Sequence, residues 1–381
     1  MRGRGLPKRQ VRCARGGDER EWYVVEREHS RRADPPAPAE LAVVIPTLEE
    51  EARLWRVLRA LRAQRGVRLE VVVADGGSTD ATCQVAREAG ARVVRAPRGR
   101  GRQMNAGARA CQAEWLLFLH ADSVPADPDL LRDALEQMRR EEARAPGAVV
   151  GHFALVFEGA GRREWPGFYR GLERKSALNR SNTTHGDQGL WMRRSWFEAL
   201  GGFDEELGFL EDQRLIATLE ARGGHRVTLG GYLKTSTRRF AAEGVAASYL
   251  NMALILMAEA AGLEAFWQEA LSVYPGQHQA VALKPVRRLG AFVGALAGLG
   301  SRERRAAIRE LRGLAERQLW QVPFWLDVRL WPASHGPTPL TSAWDGLVAR
   351  CLCLCSARGA DVKCRPERWE RDEEDVRCRG L

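Results

Sequence analysis

An apolar segment that runs directly into an acidic residue is the part of this sequence best suited to chemistry. Residues 115–119 read Trp-Leu-Leu-Phe-Leu, and His120 and Asp122 follow closely. Such a segment is typical of a buried strand, and open α/β sheets bind ligands at the carboxyl ends of their strands. A carboxylate at that place can hold a hard divalent cation against a diphosphate. Alternatively, Asp122 or Ser123 caps a helix over residues 125–138.

A second acidic pair, Glu211-Asp212, stands at the start of a later helical pattern. The first carboxylate could anchor a metal bound to phosphate, and the second could accept a proton. The two acidic positions together therefore indicate transfer chemistry, provided that the fold brings them into one site.

The elements around these residues alternate as in βαβ units. Strands are predicted near residues 41–45, 69–74, 91–95 and 115–120, with helical patterns between them. Strands that alternate with helices predict a largely parallel sheet with both faces covered. The strand ends at Thr47, Asp75 and Asp122 should then meet at one edge of the sheet. There Asp75 could bind a ribose hydroxyl or a base edge, or it could be a turn aspartate.

A basic loop connects the third and fourth predicted strands. In residues 97–105, Arg98, Arg100 and Arg102 alternate with glycines and precede a predicted helix. Guanidinium groups at a helix amino terminus make a good cradle for a diphosphate. The loop lacks the Gly-Lys-Ser/Thr of a Walker loop, and its glycines do not have dinucleotide spacing.

The second half of the chain has a different character. A strand is predicted over 149–157, followed by helices and, beyond Phe240, by a mostly helical region. These changes predict four parts: a disordered basic extension over 1–39, a catalytic domain over 40–242, a helical region over 243–345 and a Cys-rich charged tail over 346–381.

Composition excludes several classes of protein. The 381 residues carry a formal net charge of +10, but basic residues are spread along the chain and most are arginines. No zinc-finger or RNA-binding fingerprint is present, so we expect no nucleic-acid partner. Five of the eight cysteines fall between Cys351 and Cys378, which is not a disulfide framework and fits a reducing, cytoplasmic location or an organellar one.

The helical region has two interpretations. No apolar run is long enough to span a bilayer. The basic amphipathic pattern over 303–319 and the aromatic residues Trp320, Phe324, Trp325 and Trp331 suggest an element on the acceptor side or a peripheral contact with a membrane surface. An apolar stripe at helical spacing is more often buried, so the competing interpretation is a helical cap on the catalytic core.

Six motifs in order resemble glycosyltransferase family 2, over about residues 41–240. The likeness is closest to small soluble members with a His-Ala-Asp variant of the metal motif. The motifs are Val43–Thr47, Val72–Asp80, the Arg/Gly-rich segment with Gln103–Gly107, Leu119–Asp122, Gly186–Gln188, and Gly201–Asp204 with Glu211-Asp212.

The resemblance implies a GT-A fold, a nucleotide-sugar donor, a divalent cation (Mg²⁺ or Mn²⁺) and inversion at the anomeric carbon. It places Thr47, Glu49, Asp75 and Gln103 around the nucleotide and makes Asp122 the metal ligand. His120 stands where the motif usually has its first aspartate, a departure that bears on how the ribose is held.

The resemblance further makes Asp212 the general base, with Glu211 supporting it. His185 and Asp187 would line the sugar or acceptor pocket. Arg98 and Arg102 would bind the diphosphate as an electrostatic clamp. The acceptor itself is not specified by any motif.

Two rival classes remain open on the sequence. A nucleotidyltransferase acting on sugar phosphates would also use carboxylates at strand ends and a basic glycine-rich loop, although Glu211-Asp212 would then have no obvious role. A non-catalytic protein that binds nucleotide sugars is the other class, and intact acidic residues at both positions argue against it.

Overall fold

The computed structural model describes residues 38–144, 147–180, 182–273, 283–333 and 338–356. Nearly all of the predicted disordered extension and most of the predicted Cys-rich tail lie outside these residues. The boundaries predicted between the four parts of the chain remain predictions.

A central sheet of eight strands organises the described residues between 41 and 236. Its spatial order is β3-β2-β1-β4-β7-β6-β8-β5. Pairs β1/β2, β1/β4, β2/β3 and β6/β8 are parallel, and the other three pairs are antiparallel. The strands are β1 (Leu41–Thr47), β2 (Leu69–Asp75), β3 (Arg92–Arg95), β4 (Trp115–Phe118), β5 (Val124–Pro125), β6 (Val149–Glu158), β7 (Leu190–Arg193) and β8 (His225–Ser236).

Helices cover both faces of this sheet and continue beyond it. Those of the first half are α1 (Glu51–Arg62), α2 (Thr82–Glu88), α3 (Arg100–Ala110), α4 (Leu130–Arg144), α5 (Ala160–Glu164), α6 (Pro166–Ser176), α7 (Arg194–Leu200) and α8 (Glu211–Ala221). Those of the second half are α9 (Arg238–Glu243), α10 (Val245–Ala261), α11 (Glu264–Val273), α12 (Pro285–Gly298), α13 (Ser301–Gln318), α14 (Gln321–Leu330) and α15 (Pro339–Ser356).

The central strands are apolar on both sides because both sides are buried. Successive residues of β1 face two separate apolar clusters: Val43 and Ile45 pack with α1 and α4, whereas Ala42 and Val44 pack against α3. All residues of β4 are buried in the same way. This burial on two faces explains the continuous apolar runs of the sequence. It confirms the predicted α/β class with a mostly parallel sheet, in accord with the GT-A fold that the resemblance implies.

Three strands of the sheet, β5, β7 and β8, were not predicted. The four residues of β7 lie between β4 and β6, and β8 lies between β6 and β5. Strand β7 is too short to show a period, and β8 is interrupted at Gly230 and Gly231, where the register with β6 shifts. Gly231 has a φ of 81°, which favours glycine. A broken pattern of this kind is typical of a β-bulge.

The helix predicted over 125–138 begins later than expected. Val124 and Pro125 form β5, which pairs with β8, and α4 starts at Leu130. Neither Asp122 nor Ser123 is therefore placed to cap α4. The Ser123 hydroxyl instead donates to the backbone oxygen of Asp187, at 2.8 Å. The cap interpretation of this segment was wrong.

The helical region packs on the catalytic core as a cap. Trp320 and Phe324 are buried, and the ring of Trp325 stacks on that of Phe168 in α6, with 6.3 Å between the centroids. The carboxylate of Asp327 accepts from the backbone N–H of Leu340 and of Thr341, at 3.0 and 2.8 Å. Most of the aromatic residues that a membrane contact would use are thus occupied within the protein. Among the described residues, none of the helices combines the length and apolar character needed to cross a bilayer.

Candidate functional site

A cavity of about 310 Å³ lies at the carboxyl edge of the sheet. One side is formed by the ends of β1 and β4 and by the start of α3 and α8. The opposite side is formed by β8, α9 and α10. Residues far apart in the sequence, Thr47, Asp122, Asp212 and Ser248, therefore line one space.

Gln103 joins the first two strand ends at this edge. Thr47 and Asp75 are paired in register as the last residues of β1 and β2. The side-chain amide of Gln103 donates to the backbone oxygens of Thr47 and Ala74, at 2.7 and 2.9 Å. Thr47 lines the cavity, and its buried Oγ1 has no hydrogen-bond partner in the described part of the chain. A ligand hydroxyl or phosphate oxygen could provide that partner.

Asp75 and Glu49 lie beside the cavity and hold a turn. The buried carboxylate of Asp75 accepts from the backbone N–H groups of Gly77 and Ser78, each at 3.0 Å. Glu49 Oε1 accepts from the backbone N–H of Thr79 at 2.8 Å. In this structure Asp75 is thus the turn aspartate of the competing interpretation, because its oxygens are directed at its own loop. Contact of either residue with a nucleotide stays a prediction.

Of the three arginines in the basic loop, Arg100 lines the cavity. Its Nη1 lies 3.2 Å from Oε1 of Glu211. Arg102 turns the other way and donates to the backbone oxygen of Glu205 and to Glu206, both at 3.1 Å. Arg98 is exposed. The expectation that Arg98 and Arg102 form the clamp therefore needs correction, since helix α3 begins at Arg100 and directs that side chain inward.

Asp122, Asp187 and Asp212 are three of the carboxylates that line the cavity. Burial, together with the negative charges of Asp122 and Asp212, raises the pKa of Asp187 to about 7. Desolvation and repulsion between like charges both disfavour ionised carboxyl groups at this place. The binding of a cation or the uptake of a proton relieves this cost.

Glu211 and Asp212 occupy the first turn of α8, after Leu210 at a φ of 64°. Asp212 faces the cavity, and its Oδ1 accepts from the backbone N–H of Gln213 at 2.8 Å. Glu211 is 2 % exposed and pairs with Arg100. Burial raises the pKa of both carboxyl groups. A raised pKa makes a carboxylate a better proton acceptor.

Gly186 allows the loop before β7 to approach both halves of the site. A Cβ atom at Gly186 would stand 2.8 Å from Nε2 of His120 and 3.5 Å from Oδ2 of Asp212. Any larger residue would therefore force the imidazole of His120 to shift. This lack of space explains why the Gly186–Gln188 motif begins with glycine.

Burial disfavours the charged form of both histidines of the cavity. Burial lowers the pKa of His120 well below its usual value, and the charges of Arg100 and Arg239 lower it further. Burial likewise lowers the pKa of His185 to about 4. The buried Nε2 of His120 has no hydrogen-bond partner in the described residues. A neutral imidazole at this place can donate to or accept from a ligand hydroxyl.

Several cavity residues were not identified from the sequence. Glu50, Arg238 and Arg239 line the cavity, as do apolar residues of α10. The Thr-Arg-Arg sequence at 237–239 was a usable signal, but it follows β8, a strand that was not predicted. Without that strand there was no reason to bring these arginines to the edge of the sheet.

Comparison with known sequences agrees with this arrangement. Residues 42–201 match the model of the family described as "Glycosyl transferase family 2". This segment contains the first seven strands, and the match confirms the resemblance seen in the motifs.

Individual relatives carry different names. A segment of 112 residues is 30% identical to "4,4'-diaponeurosporenoate glycosyltransferase" of Staphylococcus haemolyticus, over 27% of this chain and 30% of the relative. The alignment thus spans less than a third of that protein's length.

Solved structures with a similar backbone include a mannosyltransferase of Pyrobaculum calidifontis in complex with GDP-Man and Mn²⁺. It has 19% identity and a TM-score of 0.42, over 85% of this chain and 82% of that one. Residues 1–349 of TarS from S. aureus have 14% identity and a TM-score of 0.41, over 81% of this chain and 91% of that one.

Proposed function

We propose that this protein transfers a sugar from a nucleoside diphosphate sugar to an acceptor hydroxyl, with inversion at the anomeric carbon. The observation that carries the proposal is the joint placement of Asp122, Asp212 and Arg100 in one cavity at the carboxyl edge of the sheet. The family match over residues 42–201 supports the class of reaction.

The charges of the cavity fit the two ends of such a transfer. A diphosphate leaving group needs positive charge, which Arg100 supplies from the amino end of α3. The attacking hydroxyl must lose a proton, and Asp212, a half-buried carboxylate of the cavity lining with a raised pKa, would accept it. Inversion needs no nucleophile from the enzyme, so these two functions are sufficient.

The acidic residues also fit a divalent cation that is bound together with a diphosphate. Among the described residues, no group of three or more His, Cys, Asp or Glu side chains could hold a metal by itself. Mg²⁺ is commonly held by one or two carboxylates together with phosphate oxygens and water. Asp122 would hold it here, and when bound it would offset the charge that develops on the diphosphate. The mutual repulsion of Asp122, Asp187 and Asp212 is consistent with such a cation.

The remaining residues would position the reactants. Gln103 fixes the ends of β1 and β2, so the donor side is rigid. The pairing of Arg100 with Glu211 holds that guanidinium at the cavity. Thr47 and His120 offer unpartnered polar atoms to hydroxyl or phosphate groups of the donor.

Product analysis tests the proposal against nucleotidyl transfer. Incubation with nucleotide sugars and Mg²⁺ or Mn²⁺ should release a nucleoside diphosphate, whereas a nucleotidyltransferase acting on a sugar phosphate and a nucleoside triphosphate would release pyrophosphate. Failure of the wild-type protein to release nucleoside diphosphate from any nucleotide sugar, even slowly to water, would leave it as a binding protein. The Asp212→Asn variant serves as the matched control, because it should bind the donor and release little product.

A further inference from the structure

The wall of the cavity formed by β8, α9 and α10 lies outside the family-matched residues 42–201. It contributes Arg238, Ser248, Met252 and Ile255 to the lining. The roles described so far belong to the opposite wall. This second wall faces the same space as Asp212, so it is available to bind the molecule that Asp212 would deprotonate.

Arg238 is the unusual residue of this wall. Its Nε atom is buried and has no hydrogen-bond partner within the described part of the chain. Its guanidinium forms no ion pair within 4.0 Å among the residues that the structure describes. A buried N–H group that lacks an acceptor costs free energy, and a ligand oxygen removes that cost. The guanidinium of Arg238 is therefore able to bind an anion.

The acidic residues of this part of the cavity have other partners. Oε1 of Glu243 accepts from Nε of Arg239 at 2.9 Å, and its Oε2 accepts from the hydroxyl of Ser248 at 2.6 Å. Glu50 pairs with Arg53 at 2.8 Å. Neither carboxylate is hydrogen-bonded to Arg238. The charge of Arg238 partly offsets the rise that burial causes in the pKa of Glu50, so these two side chains interact without a hydrogen bond that an incoming anion would have to break.

We propose that Arg238 binds an anionic group, a carboxylate or a phosphate, on the acceptor. The inference rests on the proposed sugar transfer and adds the chemical class of the acceptor to it. Arginine binds both groups through two parallel N–H bonds, which fixes orientation as well as position. An acceptor held in this way would present its hydroxyl inside the cavity that contains Asp212. Met252 and Ile255 on the same wall would contact an apolar part of the acceptor.

A second anion should therefore bind when the donor site is already full. The experiment titrates inorganic phosphate into the full-length protein saturated with a nucleoside diphosphate and Mg²⁺, and follows the heat. We expect binding of one phosphate to the wild type and a loss of about tenfold or more in Arg238→Gln, as for the removal of a charge-assisted hydrogen bond. Arg238→Lys should retain part of the affinity for phosphate, because it keeps the positive charge but cannot form two parallel N–H bonds.

Nucleoside diphosphate affinity provides the internal control. It should differ by less than about twofold between wild type and Arg238→Gln, well below the tenfold that corresponds to 1.4 kcal/mol. Arg62→Gln removes an exposed arginine of α1 that does not line the cavity, and it should bind both ligands as the wild type does.

Three results would overturn the inference. The saturated wild type could bind no phosphate, Arg238→Gln could bind phosphate as tightly as the wild type, or Arg238→Gln could lose nucleoside diphosphate in the same proportion. The last result would assign Arg238 to the donor diphosphate. If the proposed sugar transfer itself is wrong, the result is distinguishable from these three, because the wild type would then bind no nucleoside diphosphate at all.

Discussion

The guanidinium of Arg100 lies 3.2 Å from Oε1 of Glu211, although 111 residues separate the two in the chain. Arg100 begins α3 on the donor side of the cavity, and Glu211 begins α8 beside the proposed base. The pair ties the two halves of the site together. Because Glu211 is almost fully buried, its carboxylate depends on Arg100 for the compensation of its charge.

Arg100→Gln should weaken nucleoside diphosphate binding by about tenfold, with little change for the nucleoside, because a charge-assisted bond to phosphate is lost. The measurement is calorimetric titration of both ligands. Arg102→Gln and Arg98→Gln are the matched controls, since neither side chain lines the cavity. An equal loss of nucleoside diphosphate affinity in Arg102→Gln would support the predicted binding of the diphosphate by Arg98 and Arg102. Arg100→Gln should also lower thermal stability, and the Glu211→Gln exchange in the same chain should recover part of it.

Asp122→Asn should remove the enhancement of nucleoside diphosphate binding by Mn²⁺ and leave the fold intact. The amide keeps the shape of the side chain but loses the charge that a cation needs. Titration with and without Mn²⁺ measures this directly. Asp133→Asn, an exposed acid on α4, should behave as the wild type. Retention of the full metal effect by Asp122→Asn would rule out Asp122 as the ligand.

Asp212→Asn should leave donor binding nearly unchanged and reduce transfer by about two to four orders of magnitude, the usual contribution of a positioned base. Release of nucleoside diphosphate and equilibrium binding are measured on the same preparation. Glu211→Gln should reduce transfer less, because Glu211 lies behind the cavity and acts through Arg100. A proportional fall of binding and transfer in Asp212→Asn would instead make Asp212 a binding or folding residue.

Gly171→Ala should loosen the helical cap. A Cβ atom at Gly171 would stand 2.0 Å from Cζ3 of Trp325, so α14 has to move away from α6. Overpacking of this kind costs about 1–3 kcal/mol. Gly167→Ala in the same helix meets no atom within 4 Å and should be neutral or stabilising. Urea unfolding of the two variants checks the difference, and equal stability would show that the Trp325 contact is dispensable.

His152 should make the protein sensitive to acid. Burial lowers the pKa of His152 to about 4, while its Nε2 contacts Asn179 Oδ1 at 2.9 Å. The unfolded chain takes up this proton below about pH 6.5, so the stability due to neutral His152 is complete above that pH and is lost as the pH falls towards 4. The full loss is about 3 kcal/mol on the linkage relation.

The pH effect is measured as a difference between variants. The carboxyl groups with raised pKa, such as Asp187, shift stability in the opposite direction over the same range. The free energy of unfolding of wild type and of His152→Gln should therefore be compared at pH 7 and pH 4.5. A smaller loss in the variant is expected. An identical loss would mean that another group causes the acid sensitivity.

The sequence alone determined the first four strands and the residues at their ends. The runs that became β1, β2 and β4 are apolar because both faces of a parallel sheet are buried, and parallel strands place their carboxyl ends together. The edge at Thr47 follows from such local patterns. The same patterns predict Asp122 and Asp212 as the acidic residues of a transfer site, and these roles stay predictions.

The tertiary structure decided which side chain of each motif enters the cavity. Arg98, Arg100 and Arg102 are equivalent in the sequence, and only the start of α3 and the position of Glu211 select Arg100. Asp75 is at a strand end like Asp122, yet its own turn takes up its oxygens. Arg238 reaches the cavity through β8, a strand whose bulge hides its period. Side-chain direction depends on contacts between distant segments, and these leave no period or spacing in the sequence.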